Sequence, residues 1–166
     1  MAPHRSQLDS QAHRLPEMKD VKQQLLADHA ELESLLVQLG QSVDSNDVPA
    51  DLCICWAHFE ARLRDHLDTE ERSLFPVFGA RHREEIESLR AQHQQIRRTL
   101  AELGIAAELH TIRKPAVDEL IALLREHAAL EDRSMYDWAV GSEALAAHRG
   151  LLAMFERRLK QDDSQQ

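Results

Sequence analysis

Apolar residues recur at spacings of three and four along most of the chain, the spacing that places side chains on one face of an α-helix. Breaks at residues 42–49, around Gly79, and between Gly104 and Pro115 divide this pattern into four long stretches. A fifth stretch follows from about residue 142 to residue 160. Helices joined by such turns pack antiparallel to their neighbours. The pattern therefore predicts an all-α fold, an up-down-up-down four-helix bundle with an additional C-terminal helix.

The breaks also set the limits of the predicted helices and of the domain. The first helix runs from about Glu17 to Leu39, the second ends near Phe78, and the fourth opens at Pro115, a residue suited to a first helical turn. Residues 1–16 are polar and without pattern, which predicts a flexible N-terminal arm, with a short extra helix as the alternative. Residues 17–161 would form the bundle, and residues 162–166 a polar tail.

Composition and charge narrow the class of protein. Only 5 glycines and 5 prolines among 166 residues favour one largely helical domain. The net charge of −9 argues against a nucleic-acid partner, whose phosphates require a basic face. No apolar run approaches the ~18 residues of a membrane span, and the N-terminus lacks the apolar stretch of a signal peptide. We therefore expect a cytoplasmic protein with no membrane or nucleic-acid partner.

One histidine lies on the apolar face of each of the four long predicted helices. The midpoints between consecutive members of this set fall in the three breaks. Both helices of an antiparallel pair rise about 1.5 Å per residue, so residues equidistant from a turn lie side by side. The spacing therefore predicts four imidazoles at one level of the bundle core: His29, His66, His93 and His127.

Two glutamates share those helix faces, because Glu70 follows its histidine by four residues and Glu131 does the same on the fourth helix. The spacing alone is weak, since the chain contains four His-x-x-x-Glu pairs, one of which ends at Glu33 in acidic surroundings that favour a solvated side chain. A buried polar group without a partner costs about 1–3 kcal/mol. A metal ion would satisfy all the buried groups together, and imidazole with carboxylate suits iron, zinc, copper or manganese.

The order of these residues, together with the strings Asp28-His29, His66-Leu67-Asp68-Thr69-Glu70-Glu71 and Gln92-His93, resembles the hemerythrin-like (HHE cation-binding) family. The resemblance covers residues 18–160. It implies a four-helix bundle that holds two oxygen-bridged, non-haem irons. By that likeness the irons are bound terminally by the four histidines and bridged by the two glutamates, which gives the predicted metal ligands His29, His66, Glu70, His93, His127 and Glu131.

Two departures from the oxygen carriers of that family matter. Arg97 stands where those proteins have a second histidine on the third helix. Those proteins also use an aspartate five residues after the last histidine, whereas this chain offers Glu131 four residues after it and has Asp132 at the fifth position. One coordination position is then unassigned, and water, Glu33 or an exogenous ligand could fill it. These departures weaken the case for reversible oxygen transport and leave room for redox chemistry.

Three functions follow as hypotheses. The first is a di-iron protein that binds or senses a small ligand, O2, NO or hydrogen peroxide. The second is an enzyme of oxidative or nitrosative stress that decomposes peroxide or repairs iron–sulfur centres. The third is a module for iron storage or partner binding, or simply a bundle with a polar core layer. Five aromatic side chains are predicted to fill the core at the ends of the bundle, with the alternative that a few of them wall a pocket for a small diatomic ligand: Trp56, Phe59, Phe75, Tyr136 and Trp138.

Overall fold

The computed structural model describes residues 18–45 and 49–139. The predicted N-terminal arm, C-terminal helix and polar tail lie outside these residues. Within them the chain is helical and contains no strand. The six helices are α1 (Met18–Ser45), α2 (Pro49–Ser73), α3 (Phe75–Phe78), α4 (Arg83–Glu108), α5 (Lys114–Arg133) and α6 (Met135–Ala139).

The four long helices form a closed ring in which α1 packs against α2, α2 against α4, α4 against α5, and α5 back against α1. The short helices are appendages of this ring, since α3 packs on α2 while α6 packs on α1 and α5. This arrangement confirms the predicted all-α, up-down-up-down four-helix bundle. No helix among the described residues is both long and apolar enough to cross a lipid bilayer.

Three helix ends differ from the sequence prediction. Helix α1 continues to Ser45 rather than ending at Leu39, because Val43 extends its apolar face and packs against the core. Helix α2 stops at Ser73, and Pro76, which has no backbone N–H to donate to the preceding turn, lies in the first turn of the separate helix α3. The fourth predicted helix is likewise divided at Ser134, whose hydroxyl donates to the carbonyl oxygen of Leu130 at 2.7 Å.

The turn after α4 contains His110, which lies midway in the sequence between His93 and His127. His110 has a φ of 54°, in the left-handed region, and its backbone N–H bonds the carbonyl oxygen of Ala107. This conformation ends α4 and turns the chain towards α5, which begins with Lys114 and Pro115 as expected for a first turn.

The bundle interior contains two apolar clusters with a polar layer between them. The larger cluster includes Leu36, Phe59 and Leu100, and the smaller one includes Leu25, Phe78 and Leu89. The fully or nearly buried polar side chains lie near the point along each long helix where one cluster gives way to the other. They are Asp28, His66, Thr69, Glu70, His93, His127 and Glu131.

Candidate metal centre

The structure brings all six predicted ligands into one cluster at that polar layer. Helix α1 contributes one residue, α2 two, α4 one and α5 two, and each imidazole directs Nε2 towards the centre. The Nε2 atoms of His29 and His66 lie 3.1 Å apart. The His29 side chain is 13% exposed, while the other members of the cluster are essentially inaccessible to water. Whether these residues bind metal stays a prediction.

The cluster consists of two groups of potential ligands that share their carboxylates. One group combines His29 and His66 with both glutamates, and the other combines His93 and His127 with the same two glutamates. Within each group the ligand atoms all lie within 4.8 Å of one another. Each group thus combines two histidines with the two carboxylates, and both carboxylates are common to the two groups.

Glu131 faces both groups with different oxygens. Its Oε2 lies 3.2 Å from Nε2 of His29, and its Oε1 lies 3.2 Å from Nε2 of His127. Glu70 instead presents one oxygen to both sides, since Oε2 lies 3.4 Å from Nε2 of His66 and 3.6 Å from Nε2 of His93. Each carboxylate thus spans the space between the two pairs of imidazoles.

Several atoms at the centre of the cluster are buried without a hydrogen-bond partner in the part of the chain that the structure describes. They include Oε2 of Glu70, Oε1 of Glu131, and the Nε2 atoms of His93 and His127. Buried polar atoms in folded proteins are almost always paired, because each unpaired one costs roughly 1–3 kcal/mol. Four such atoms that face one another fit a cation as their common partner.

A comparison with protein families matches residues 20–139 to the hemerythrin HHE cation-binding domain. The chain belongs to this family. Comparisons with curated proteins and with solved structures gave no significant match. The family match covers every long helix, and it agrees with the buried cluster of histidines and glutamates as a metal-binding site.

Hydrogen bonds from outside the cluster fix three of the four imidazoles of this hemerythrin-like domain. Nδ1 of His66 lies 2.6 Å from Oδ2 of Asp28, and Nδ1 of His93 lies 2.8 Å from Oε1 of Glu71. In the same way, Nδ1–H of His127 donates to the side-chain oxygen of Gln92 at 3.1 Å. An acceptor at Nδ1 keeps a proton on that nitrogen, so in the neutral form of each ring the lone pair is on Nε2 and is directed at the site.

Sequence analysis did not predict the contact of Tyr136 with the cluster. The sequence predicted that its ring fills the bundle end, and the ring does belong to the smaller apolar cluster. Its hydroxyl, however, reaches the metal-binding cluster: it donates to Oε1 of Glu70 and lies 3.1 Å from Nε2 of His29 and 3.3 Å from Oε2 of Glu131. The available signal was that a buried tyrosine hydroxyl requires a hydrogen-bond partner.

Three residues noted in the comparison with the oxygen carriers lie outside the cluster, and one of them, Glu33, was considered for the unassigned coordination position. Arg97 turns outward and donates to Oδ1 of Asp68 at 2.6 Å. Glu33 pairs with Arg125 across the α1–α5 interface, with Nε and Oε1 2.8 Å apart, as expected for a solvated carboxylate. Asp132 belongs to neither group of potential ligands among the described residues. The Tyr136 hydroxyl, rather than Glu33, is therefore the additional group beside His29.

Without a bound cation, two imidazoles of the cluster are protonated at neutral pH. Burial alone would lower the pKa of His66, but the carboxylates of Glu70 and Asp28 raise it to about 9. Burial also opposes protonation of His93, whereas its contacts with Glu131 and Glu70 raise its pKa to about 10. The positive charges of these two imidazolium ions thus offset the buried carboxylates in the absence of a metal ion.

The pKa values of three other members of the cluster shift in different directions. Burial lowers the pKa of His127 to about 4, and the neighbouring protonated imidazoles add to that effect. Burial and the nearby Glu131 carboxylate raise the pKa of Glu70. Burial opposes ionisation of Glu131 too, but His127 and His29 together lower its pKa well below the usual value. Glu131 is therefore the carboxylate held in its ionised form.

Proposed function

We propose that this hemerythrin-like protein is a non-haem di-iron protein that binds or senses a small ligand, O2, NO or hydrogen peroxide. One observation carries the proposal: Glu70 and Glu131 each belong to both groups of potential ligands. His29 and His66 would hold one iron, and the two glutamates would bridge it to the second. The full set of proposed ligands is His29, His66, Glu70, His93, His127 and Glu131.

The donor set supports iron over the hard divalent cations. Magnesium and calcium take nearly all their ligands from oxygen, whereas four imidazole nitrogens with two carboxylates suit iron and its neighbours in the first transition series. A bound iron pair would supply redox chemistry and an exchangeable position for the small ligand. The protein would supply fixed ligands, charge and a dry surrounding.

Different residues of the chain would hold the ligands in orientation and keep water out of the site. The acceptors behind His66, His93 and His127 hold their rings in orientation, and the Tyr136 hydroxyl holds Glu70 by donating to its Oε1. The apolar clusters above and below keep bulk water away from the layer. Among the described residues, Nδ1 of His29 has no hydrogen-bond partner. We therefore assign the exchangeable position to the His29/His66 side, where the ligand shell is least constrained.

Anaerobic titration with ferrous iron tests the proposal. We expect about two irons per chain by metal analysis, and a new near-ultraviolet and visible absorption on admission of air. The chain provides a matched pair of variants, because Glu33 and Glu131 both follow a histidine by four residues but only Glu131 lies in the cluster. Glu131→Gln should reduce the iron content to one or none, while Glu33→Gln should leave it at two.

Two results would overturn the proposal. One is a single zinc per chain with no absorption change in air. The other is equal iron content in Glu131→Gln and Glu33→Gln. The enzymatic alternatives stay predictions from the family resemblance. A peroxide-turnover assay on iron-loaded protein, with His93→Ala as the ligand-deficient control, separates catalysis of peroxide decomposition from binding alone.

A further inference from the structure

A cavity of about 220 Å³ lies between α1 and α5 and reaches the metal-binding cluster. His29, His66 and His127 form its inner end. Glu33 and Arg125 lie at its outer end, where their ion pair bridges the two helices. Asp132 is a further polar residue of the lining, and the other eight lining residues are aliphatic: Leu26, Ala30, Leu32, Leu36, Leu63, Ile121, Leu124 and Ala128.

The size of this cavity exceeds what a diatomic molecule or peroxide requires. A water molecule takes about 30 Å³ of liquid volume, and an apolar cavity of about 150 Å³ is enough to bind benzene. Aliphatic walls bind water poorly, because water there has few hydrogen-bond partners. The volume and lining therefore favour an apolar organic occupant the size of one aromatic ring.

Two polar atoms define a hydrogen-bonding requirement for the occupant. Nδ1 of His29 and Oδ1 of Asp132 are both buried, and neither has a hydrogen-bond partner in the part of the chain that the structure describes. Both residues line the cavity. A hydroxyl group on the occupant could pair with one of these atoms, which a purely hydrocarbon ligand would leave unsatisfied.

The outer ion pair would let such a molecule enter. The Arg125 side chain is 60% exposed, and its contact with Glu33 is the polar link between α1 and α5 at the cavity mouth. Exposed ion pairs contribute little to stability and exchange readily with water. Neither Glu33 nor Arg125 belongs to the cluster of potential metal ligands.

We propose that this cavity binds an uncharged, mainly apolar organic molecule of single-ring size that carries one hydroxyl group. Its inner end would present that molecule to the His29/His66 side of the cluster. The statement that the molecule would meet a metal rests on the proposed function, whereas its binding in the cavity does not. The proposal adds an organic ligand, or substrate, to the small ligands considered above.

Binding of 4-fluorophenol, followed by ¹⁹F NMR in metal-free and metal-loaded protein, tests this inference. We expect saturable binding of one molecule per chain to both forms. Ala128 lines the cavity, so Ala128→Leu should fill it and weaken binding at least tenfold. Leu124→Phe, which enlarges a second lining side chain, should do the same. The matched control is Ala129→Leu, an exposed neighbour on the same helix that does not line the cavity.

The outcomes separate this inference from the proposed function. If the probe does not saturate, or binds the filled variants as well as the control, the cavity proposal is wrong even when iron binds normally. If the probe binds as expected but the protein takes up no iron, the cavity stands as a ligand site and its link to a metal fails. Circular dichroism of each variant establishes that the helical fold is retained.

Discussion

The carboxylate of Asp28 lies 2.6 Å from Nδ1 of His66, across the interface between α1 and α2. Asp28 is adjacent in sequence to His29, yet it orients the imidazole of the neighbouring helix instead. Both Asp28 and His66 are buried, and Arg62 lies 3.7 Å from the second carboxylate oxygen. One helix thus provides both a potential metal ligand and the support for another.

Removing the charge of Asp28 should weaken metal binding without removing a ligand. Substitutions of such supporting groups typically cost about 10–100-fold in metal affinity. We expect Asp28→Asn to fall in that range when ferrous iron binding is measured by anaerobic calorimetry. Glu31→Gln is the control, because Glu31 also pairs with Arg62 but lies on the exposed surface. Equal affinities for the two variants would contradict a supporting role for Asp28.

Tyr136→Phe should alter the site while it preserves the packing of the aromatic ring. The variant loses the hydroxyl that donates to Glu70, which leaves a buried carboxylate oxygen without that donor. Loss of such a partner costs roughly 1–3 kcal/mol, so urea unfolding of the metal-free variant should show a decrease of that size. The absorption of the iron-loaded variant should also shift. Trp138→Phe, on the same short helix but packed against Phe78, should leave the spectrum unchanged.

Metal should stabilise the folded protein through His66 but not through His58. Both lie on α2, and His58 is exposed to solvent. A ligand at 100 times its dissociation constant stabilises the folded state by about 2.7 kcal/mol. We expect iron to raise the melting temperature of the parent protein and of His58→Ala, and a chelator to reverse the rise. His66→Ala should respond weakly. Unchanged melting of the parent protein with and without metal would favour a bundle with a merely polar core layer.

Stability of the metal-free protein should fall as the pH rises above about 6.5. The folded-state pKa is about 9 for His66 and about 10 for His93, compared with 6.5 for an unperturbed histidine. Protonation of these residues therefore stabilises the fold fully below pH 6.5, and this contribution is lost as the pH passes the folded-state values. Urea unfolding between pH 6.5 and 10 measures the decline.

Added metal should reverse this trend, because the ligating form of histidine is the neutral imidazole and binding releases the stored protons. We expect metal affinity, and hence the stabilisation by metal, to increase over the same pH interval. His127 acts in the opposite sense below that interval: its folded pKa of about 4 means that stability is lost as the pH falls from 6.5 towards 4. Identical pH profiles with and without metal would count against the cluster as the metal site.

The sequence by itself determined the helices and the level of the site. Spacings of three and four identify the buried face of each helix, and the constant rise per residue fixes which positions on antiparallel helices lie side by side. For that reason the six predicted residues could be named before any coordinates. The outward position of Glu33 also followed, from the acidic residues around it.

Only the tertiary structure decided what surrounds that layer. Tyr136 reaches the cluster from the separate helix α6, which follows a break at Ser134 that no periodic pattern encodes. The pairing of Asp28 with His66 depends on the rotation of each helix about its axis, and so does the cavity between α1 and α5. Periodicity specifies the face of a helix but not how two faces fit together. Contacts between helices, and the pKa values they set, therefore belong to the packed protein.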